Sequence, residues 1–143
     1  MLQVSKPRIS YGLLLGDFIP YVALYVFAVV RHPNERCLLG SIIAIPSFIL
    51  WFVAKLQLGS SFTVTAQARE LVTHGLYSRI RNPIYFFSTL ALLGIAICLH
   101  YLYFYIYVGI AIVPQLWRIR REQQVLQDKF GQTYLEYKRR TWF

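Results

Sequence analysis

Residues 83–117 run for 35 positions without a single Asp, Glu, Lys or Arg. One helical crossing of a bilayer takes about 20 residues, so the run is too long for one span and suits two. The break is predicted near His100. Tyr101, Tyr103, Tyr105 and Tyr107 then alternate along the chain. A period of two reads locally as a strand, yet an isolated strand in lipid leaves its backbone groups unpaired. The four tyrosines are therefore read as interfacial aromatics at the start of a helix, and the whole run as a tight helical hairpin.

Two further apolar runs precede it. Residues 11–30 are interrupted by Asp17 and Pro20, and residues 37–56 end beside Lys55. Each is long enough to cross a membrane. The first follows a short basic stretch, as a signal peptide would, but it is long for a signal h-region and no small-x-small cleavage motif follows it, so a retained helix is expected. Pro20 is expected to kink that helix. Asp17 would lie at membrane depth, where a carboxylate is usually paired or functional, and Lys55 is expected to snorkel to the interface. Arg31–Arg36 form a polar turn between the two runs, and residues 58–65 read as an extended loop.

Composition agrees with this reading. Hydrophobic residues make up 57% of the 143 positions and charged residues only 15%, a balance too apolar for an ordinary soluble domain. The net charge of +9 does not point to nucleic acid, because the basic residues flank apolar runs instead of forming a stripe. With four spans, thirteen Lys and Arg, from Lys6 to Arg140, fall on the side of both chain ends, against Arg31 and Arg36 on the other. The positive-inside rule places the richer side in the cytoplasm. The expected protein is a single all-α membrane domain over residues 1–143, with about four transmembrane helices and a cytoplasmic helical tail. Val125, Leu126 and Phe130 give the tail its helical pattern, which Gly131 ends or bends. Cys37 and Cys98 belong to no Cys-x-x-Cys pair and have no histidine at metal-ligand spacing, so no metal is expected. Inert thiols are the default for them, and a disulfide is the alternative if the outer side is oxidising.

The longest polar interruption is Leu71–Tyr85, with His74, Gly75, Tyr77, Arg79, Arg81, Asn82 and Pro83 in close succession. Proline suits the first turn of a helix, and Asn82 before it is a good N-cap. A helix start carries free N–H groups and partial positive charge. With two arginines beside it, the stretch reads either as a seat for an anionic group or as a basic loop at a membrane surface. Further along, Gln115, Arg118 and Glu122 are spaced i, i+3, i+7 and share one helical face. That face is expected to look back at the polar stretch; the plain alternative is a solvated Arg118–Glu122 pair contributing only about 0.2–0.5 kcal/mol.

Four blocks together, Leu58–Val64, Leu71–Tyr85, Arg118–Glu122 and Leu126–Tyr137, resemble the isoprenylcysteine carboxyl methyltransferase family, which itself resembles the phospholipid methyltransferases. The likeness covers roughly residues 40–140. It implies an integral membrane enzyme using S-adenosylmethionine. It also implies that His74, Gly75, Tyr77, Asn82, Pro83 and Tyr85 line the cofactor pocket with Arg81, while Arg118 and Glu122 close it from the other side. Arg81, Arg118 and Glu122 are the candidate catalytic residues, with Glu122 also a cofactor ligand. Two positions depart from the common pattern: Asn82 stands where many members have histidine, and Gln123 replaces the second of two paired glutamates. His74 is either a general base or a polar loop residue. The acceptor is expected to be lipophilic, a lipid or a lipid-like small molecule. The oligomeric state is not legible. A second class stays open on the residues alone, a non-enzymatic transporter or assembly subunit with the same fold. A transporter is expected to carry intramembrane ionisable residues on facing helices, and Asp17 is the one that qualifies.

Overall fold

The computed structural model describes residues 16–58 and 71–143. The basic start of the chain, the first part of the run over 11–30 and most of the loop read over 58–65 lie outside them, as does most of the Leu58–Val64 block. Among the described residues the named elements are all helices: α1 (Phe18–Arg31), α2 (Glu35–Leu58), a short 3₁₀ turn (Gly75–Ser78), α3 (Pro83–Leu99) and α4 (Leu102–Arg140).

Local chemistry sets the boundaries. Asn34 begins α2 by accepting the Cys37 N–H on its side-chain oxygen at 2.9 Å, which satisfies one of the free donors of a helix start. The hairpin turns at His100, whose backbone is left-handed (φ 54°) and whose N–H donates to the Ala96 carbonyl at 2.8 Å. The break falls where the sequence places it, and Tyr101 precedes a helix, not a strand. Pro20 sits in the first turn of α1. There it removes no intrahelical bond, so the expected kink has no cause. Residues 118–130 of the tail continue the helix of the hairpin, and α4 is kinked at Gly131, whose backbone is not helical (φ 50°, ψ −120°), before a last helical stretch to Arg140.

α3 is the central element. It buries Phe87, Ala91, Leu92, Gly94, Ile95, Ala96, Cys98 and Leu99, as expected of a helix that is apolar all round. Its partner α2 approaches closely through small residues. A Cβ on Gly94 would lie 2.6 Å from the Gly40 carbonyl oxygen and 2.9 Å from the Ala44 Cβ, and a Cβ on Gly40 would collide with the Gly94 carbonyl. Small side chains at a helix crossing are what lets backbones pack without a water-driven hydrophobic force. The large apolar side chains point outward, among them Leu38, Ile42 and Ile49 of α2 and Leu102, Ile110 and Val113 of α4. Small residues at the helix crossing, with many large apolar side chains exposed on the outer faces, fit a protein solvated by lipid.

Two helices, α2 and α4, are long and apolar enough to cross a membrane, while α1 and α3 are shorter apolar helices of 14 and 17 residues. At about 1.5 Å per residue they fall short of a hydrocarbon core about 30 Å thick. The described residues therefore support two full-length spans where the sequence suggests four.

Two side-chain pairings revise the sequence reading. Lys55 does not snorkel: its side chain is fully buried, pairs with Asp17 and lies 5.1 Å from the Trp51 ring. Asp17 precedes α1 and is half exposed, so it offers the lysine a carboxylate without itself being stranded in lipid. A buried charge is tolerable when paired in this way. At the opposite end of the α2–α3 pair, Cys37 and Cys98 form a disulfide, so neither is the inert thiol taken as the default. Helical periodicity could not reveal that the crossing at Gly40 and Gly94 brings the two cysteines together.

Candidate functional site

The polar stretch keeps little regular structure and is held in place by its neighbours. Gly75 has two reasons to be glycine: its φ is +60°, and a Cβ there would collide with the Gln57 carboxamide. Gln57, at the end of α2, accepts the Leu76 N–H at 2.8 Å. Within the turn, the His74 carbonyl accepts the Tyr77 N–H at 3.1 Å. Tyr77 is buried, and its carbonyl accepts the Tyr137 hydroxyl at 2.7 Å. The far part of α4, beyond the Gly131 bend, is thereby tied to the turn.

The segment after the turn meets Thr141–Phe143. Ile80 and Trp142 form a parallel bridge. Trp142 N–H donates to the Arg79 carbonyl at 3.0 Å, and Arg81 N–H donates to the Trp142 and Phe143 carbonyls at 3.2 and 3.1 Å. Asn82 does occupy the cap position of α3, but its side chain makes no capping bond. Its Nδ2 donates instead to the Phe143 carbonyl at 3.2 Å. Pro83 fills the first turn as expected, and the first helical bond runs from Phe86 N–H to the Asn82 carbonyl at 3.1 Å.

On the next turn of α3 the expected face of α4 arrives. The Tyr85 hydroxyl donates to Glu122 Oε1 at 2.7 Å, and Arg118 Nε donates to the same oxygen at 3.2 Å. The Arg118 guanidinium lies 5.8 Å from the centre of the Tyr85 ring, a cation–π separation. One turn deeper, Thr89 Oγ1 and Gln115 Oε1 are 2.8 Å apart. Gln115, Arg118 and Glu122 thus do share one face, and it does meet the start of the hairpin. Arg118 and Glu122 keep 36% and 27% of their side-chain exposure. At that exposure the ion pair is worth little as a structural brace.

Electrostatics links the two halves. Burial raises the Tyr77 hydroxyl pKa well above the ordinary tyrosine range, and Tyr137, Glu122 and Tyr85 raise it further. Tyr137 is pushed up to about 12, chiefly by burial and then by Tyr134, with the Arg81 charge pulling it back. Both phenols therefore remain donors at neutral pH. Arg81 sits near enough to Tyr134 and Tyr137 to act on both, and its Nε is a buried donor with no hydrogen-bond partner among the described residues. Leaving such a donor unpaired costs about 1–3 kcal/mol, so the position suits an acceptor brought from outside the chain.

Of the residues singled out in the sequence, Tyr77, Arg81, Asn82, Pro83, Tyr85, Arg118 and Glu122 converge on the start of α3. His74 and Gly75 stand at the exposed edge of the turn. Sequence reasoning missed Gln57, Tyr137, Trp142 and Phe143. The last two had a visible signal, an aromatic pair one residue after Lys138–Arg140, where a solvated tail has no use for one.

A family model described as phospholipid methyltransferase matches residues 35–133. That range includes α2, the polar stretch, the hairpin and the Arg118–Glu122 face. No curated protein matches the chain.

Proposed function

The chain belongs to the phospholipid methyltransferase family, and from that premise we propose that it is an S-adenosylmethionine-dependent membrane enzyme that methylates a lipophilic acceptor. One observation carries the reading. Within the matched region, a partly exposed carboxylate, an arginine and a tyrosine ring meet as Glu122, Arg118 and Tyr85 on the first turn of α3, and Arg81, two residues before that helix, carries a buried donor with no partner among the described residues.

The residues fit the cofactor in kind. Glu122 suits the ribose hydroxyls or the amino group. Arg81 suits a carboxylate, since a guanidinium presents several donors in a fixed fork. The faces of Tyr77 and Tyr85 suit a sulfonium, as aromatic faces suit other cations. His74, Gly75, Asn82 and Pro83 supply the turn and helix start that shape this wall. When bound, the cofactor supplies an already activated methyl group. The protein's task is then positioning and electrostatics, not activation. Arg118 is placed to hold Glu122 and to meet the acceptor, and a carboxylate or thiolate acceptor needs no general base.

Topology follows from access. A charged cofactor enters from water and an apolar acceptor from the bilayer, so the site belongs where the hairpin starts, at the cytoplasmic boundary. We read the whole chain as one domain of four membrane helices, with α1 and α3 completing the bundle and both sequence ends on the cytoplasmic side. The test is calorimetric binding of S-adenosylhomocysteine to the purified protein, with Arg31→Gln at the far end as control. Measurable binding and a raised melting temperature are expected. Absence of both would remove the enzymatic reading. Methyl transfer to a panel of lipophilic carboxylates, thiols, amines and phospholipids then identifies the acceptor.

A further inference from the structure

Residues 79–82 carry Arg81 and Asn82, yet they belong to neither a helix nor a sheet. Their backbone and side-chain groups find partners in a segment about sixty positions away. The Arg79 carbonyl, the Arg81 N–H and the Asn82 carboxamide all bond to Trp142 or Phe143. The two aromatic rings then close on one residue of α3: Trp142 and Phe143 lie 5.5 and 5.7 Å from the Phe86 ring. Tyr137, one turn earlier, holds the Tyr77 carbonyl, and Thr141 Oγ1 bonds back to the Tyr137 carbonyl at 2.9 Å. The end of α4 and the three residues after it therefore form a strap across the outside of the polar stretch.

We infer that Thr141–Phe143 are positioning residues, which hold Arg81 and Asn82 in the orientation that receives the cofactor; this rests on the methyltransferase reading above. The physical reason is an accounting of backbone groups. Polar groups in a partly buried segment must be paired. Here the pairing also fixes direction, because Arg81 N–H is drawn toward the Trp142 and Phe143 carbonyls and the Asn82 carboxamide toward the Phe143 carbonyl. Without the strap, residues 79–82 regain backbone freedom, and binding must order them again. Ordering on binding weakens affinity without altering any group that touches the ligand. A strap of this kind touches only the segment that carries Arg81 and Asn82, so its loss is expected to bear on the cofactor and not on an acceptor arriving from the bilayer.

The experiment uses the full chain with three substitutions. Trp142→Pro deletes the N–H that bonds the Arg79 carbonyl. Trp142→Phe keeps that N–H and an aromatic ring for Phe86. Phe143→Ala removes one ring and keeps the carbonyl that Arg81 and Asn82 use, so it serves as a milder variant if Trp142→Pro fails to fold. Amide hydrogen exchange over residues 79–82 reads the strap without any ligand. Calorimetry with S-adenosylhomocysteine reads its consequence. Trp142→Pro is expected to speed exchange there at least tenfold and to weaken binding about tenfold, with exchange around Gly40 and Gly94 unchanged. Phe143→Ala should move both readouts the same way by a smaller factor, and Trp142→Phe should stay within about twofold of the parent. In turnover, the cofactor KM should rise while the acceptor KM holds. If the parent binds and Trp142→Pro binds equally well, or if exchange quickens while affinity and KM stay put, the strap is merely structural and the inference is overturned. If the parent itself does not bind, the methyltransferase reading falls, and the cofactor role of the strap falls with it.

Discussion

The two ends of the α2–α3 pair are built on opposite principles. At the far end a disulfide joins Cys37 to Cys98, two glycines bring the backbones together, and His100 turns the chain tightly into α4. At the site end, beside the packing of Trp142 and Phe143 on Phe86, the contacts are individual hydrogen bonds: Gln57 to the turn, Tyr137 to Tyr77, Trp142 and Phe143 to residues 79–82, and Tyr85 to Glu122. A covalent, close-packed end has one arrangement available to it. An end closed by replaceable hydrogen bonds can exchange partners with a ligand at little cost. On the proposed reading, the hairpin is anchored at the end away from the binding site and left adaptable at the end that would receive the cofactor.

The largest way to break this contrast is chemical reduction. The disulfide closes a loop with a sequence separation of 61, for which chain entropy gives about 4 kcal/mol of stabilisation. We expect Cys98→Ala to lower the unfolding free energy by about 2–4 kcal/mol, read by thermal or denaturant unfolding in detergent, with S-adenosylhomocysteine affinity nearly unchanged. A loss of affinity as large as the loss of stability would show that the two ends are not independent. Next is Gly94→Val. Its side chain would meet the Gly40 carbonyl and the Ala44 backbone rather than a flexible tip. Overpacking of a tight interface costs about 1–3 kcal/mol, and here the upper end is expected because two backbones must separate.

A variant at the site end should show the reverse pattern. Glu122 is partly exposed and its ion pair weak, so Glu122→Gln should leave the melting temperature within about a degree or two. Cofactor affinity should fall about tenfold, equivalent to about 1.4 kcal/mol. If calorimetry finds parental affinity, or if the Arg31→Gln control loses as much, Glu122 does not belong to the binding site.

What the sequence made legible divides along the same line. Helices, the break at His100, the bend at Gly131 and the shared face of Gln115, Arg118 and Glu122 all follow from local rules: apolar run length, turn residues and a period of 3.6. The meeting of that face with Tyr85 also followed, because a hairpin leaves α4 few other neighbours. What stayed hidden depends on pairs distant in sequence. Asn82 looked like a cap from its place before Pro83, but a carbonyl sixty residues later competes for its side chain. Lys55 looked like a snorkelling lysine, since nothing local shows that Asp17 and the Trp51 face lie within its reach. The start of α1 at Phe18 was likewise invisible, because hydropathy counts apolar residues and not the helical turns they form, whereas the 17 residues of α3 follow from the break at His100.

The smallest effect we expect is at Tyr137, and it tests whether the site end is held bond by bond. Tyr137→Phe removes the hydroxyl that reaches the Tyr77 carbonyl while keeping the ring. A hydrogen bond of this type contributes about 1 kcal/mol net, so a fall of that size at neutral pH is expected. The pH dependence gives a second, independent reading. The folded protein holds the Tyr137 proton up to about 12, whereas the unfolded chain releases it near the ordinary tyrosine value of about 10. Between those values the folded state binds more protons than the unfolded one, so stability falls as pH rises. The contribution is complete below about pH 10 and gone above about pH 12. Tyr137→Phe should therefore flatten part of the alkaline decline seen in the parent, with Tyr105→Phe on α4 as the comparison. If the two variants decline in parallel from the same neutral-pH stability, the Tyr137–Tyr77 bond is not holding the turn, and the site end must owe its arrangement to Gln57, the Tyr85–Glu122 bond and the strap at residues 141–143.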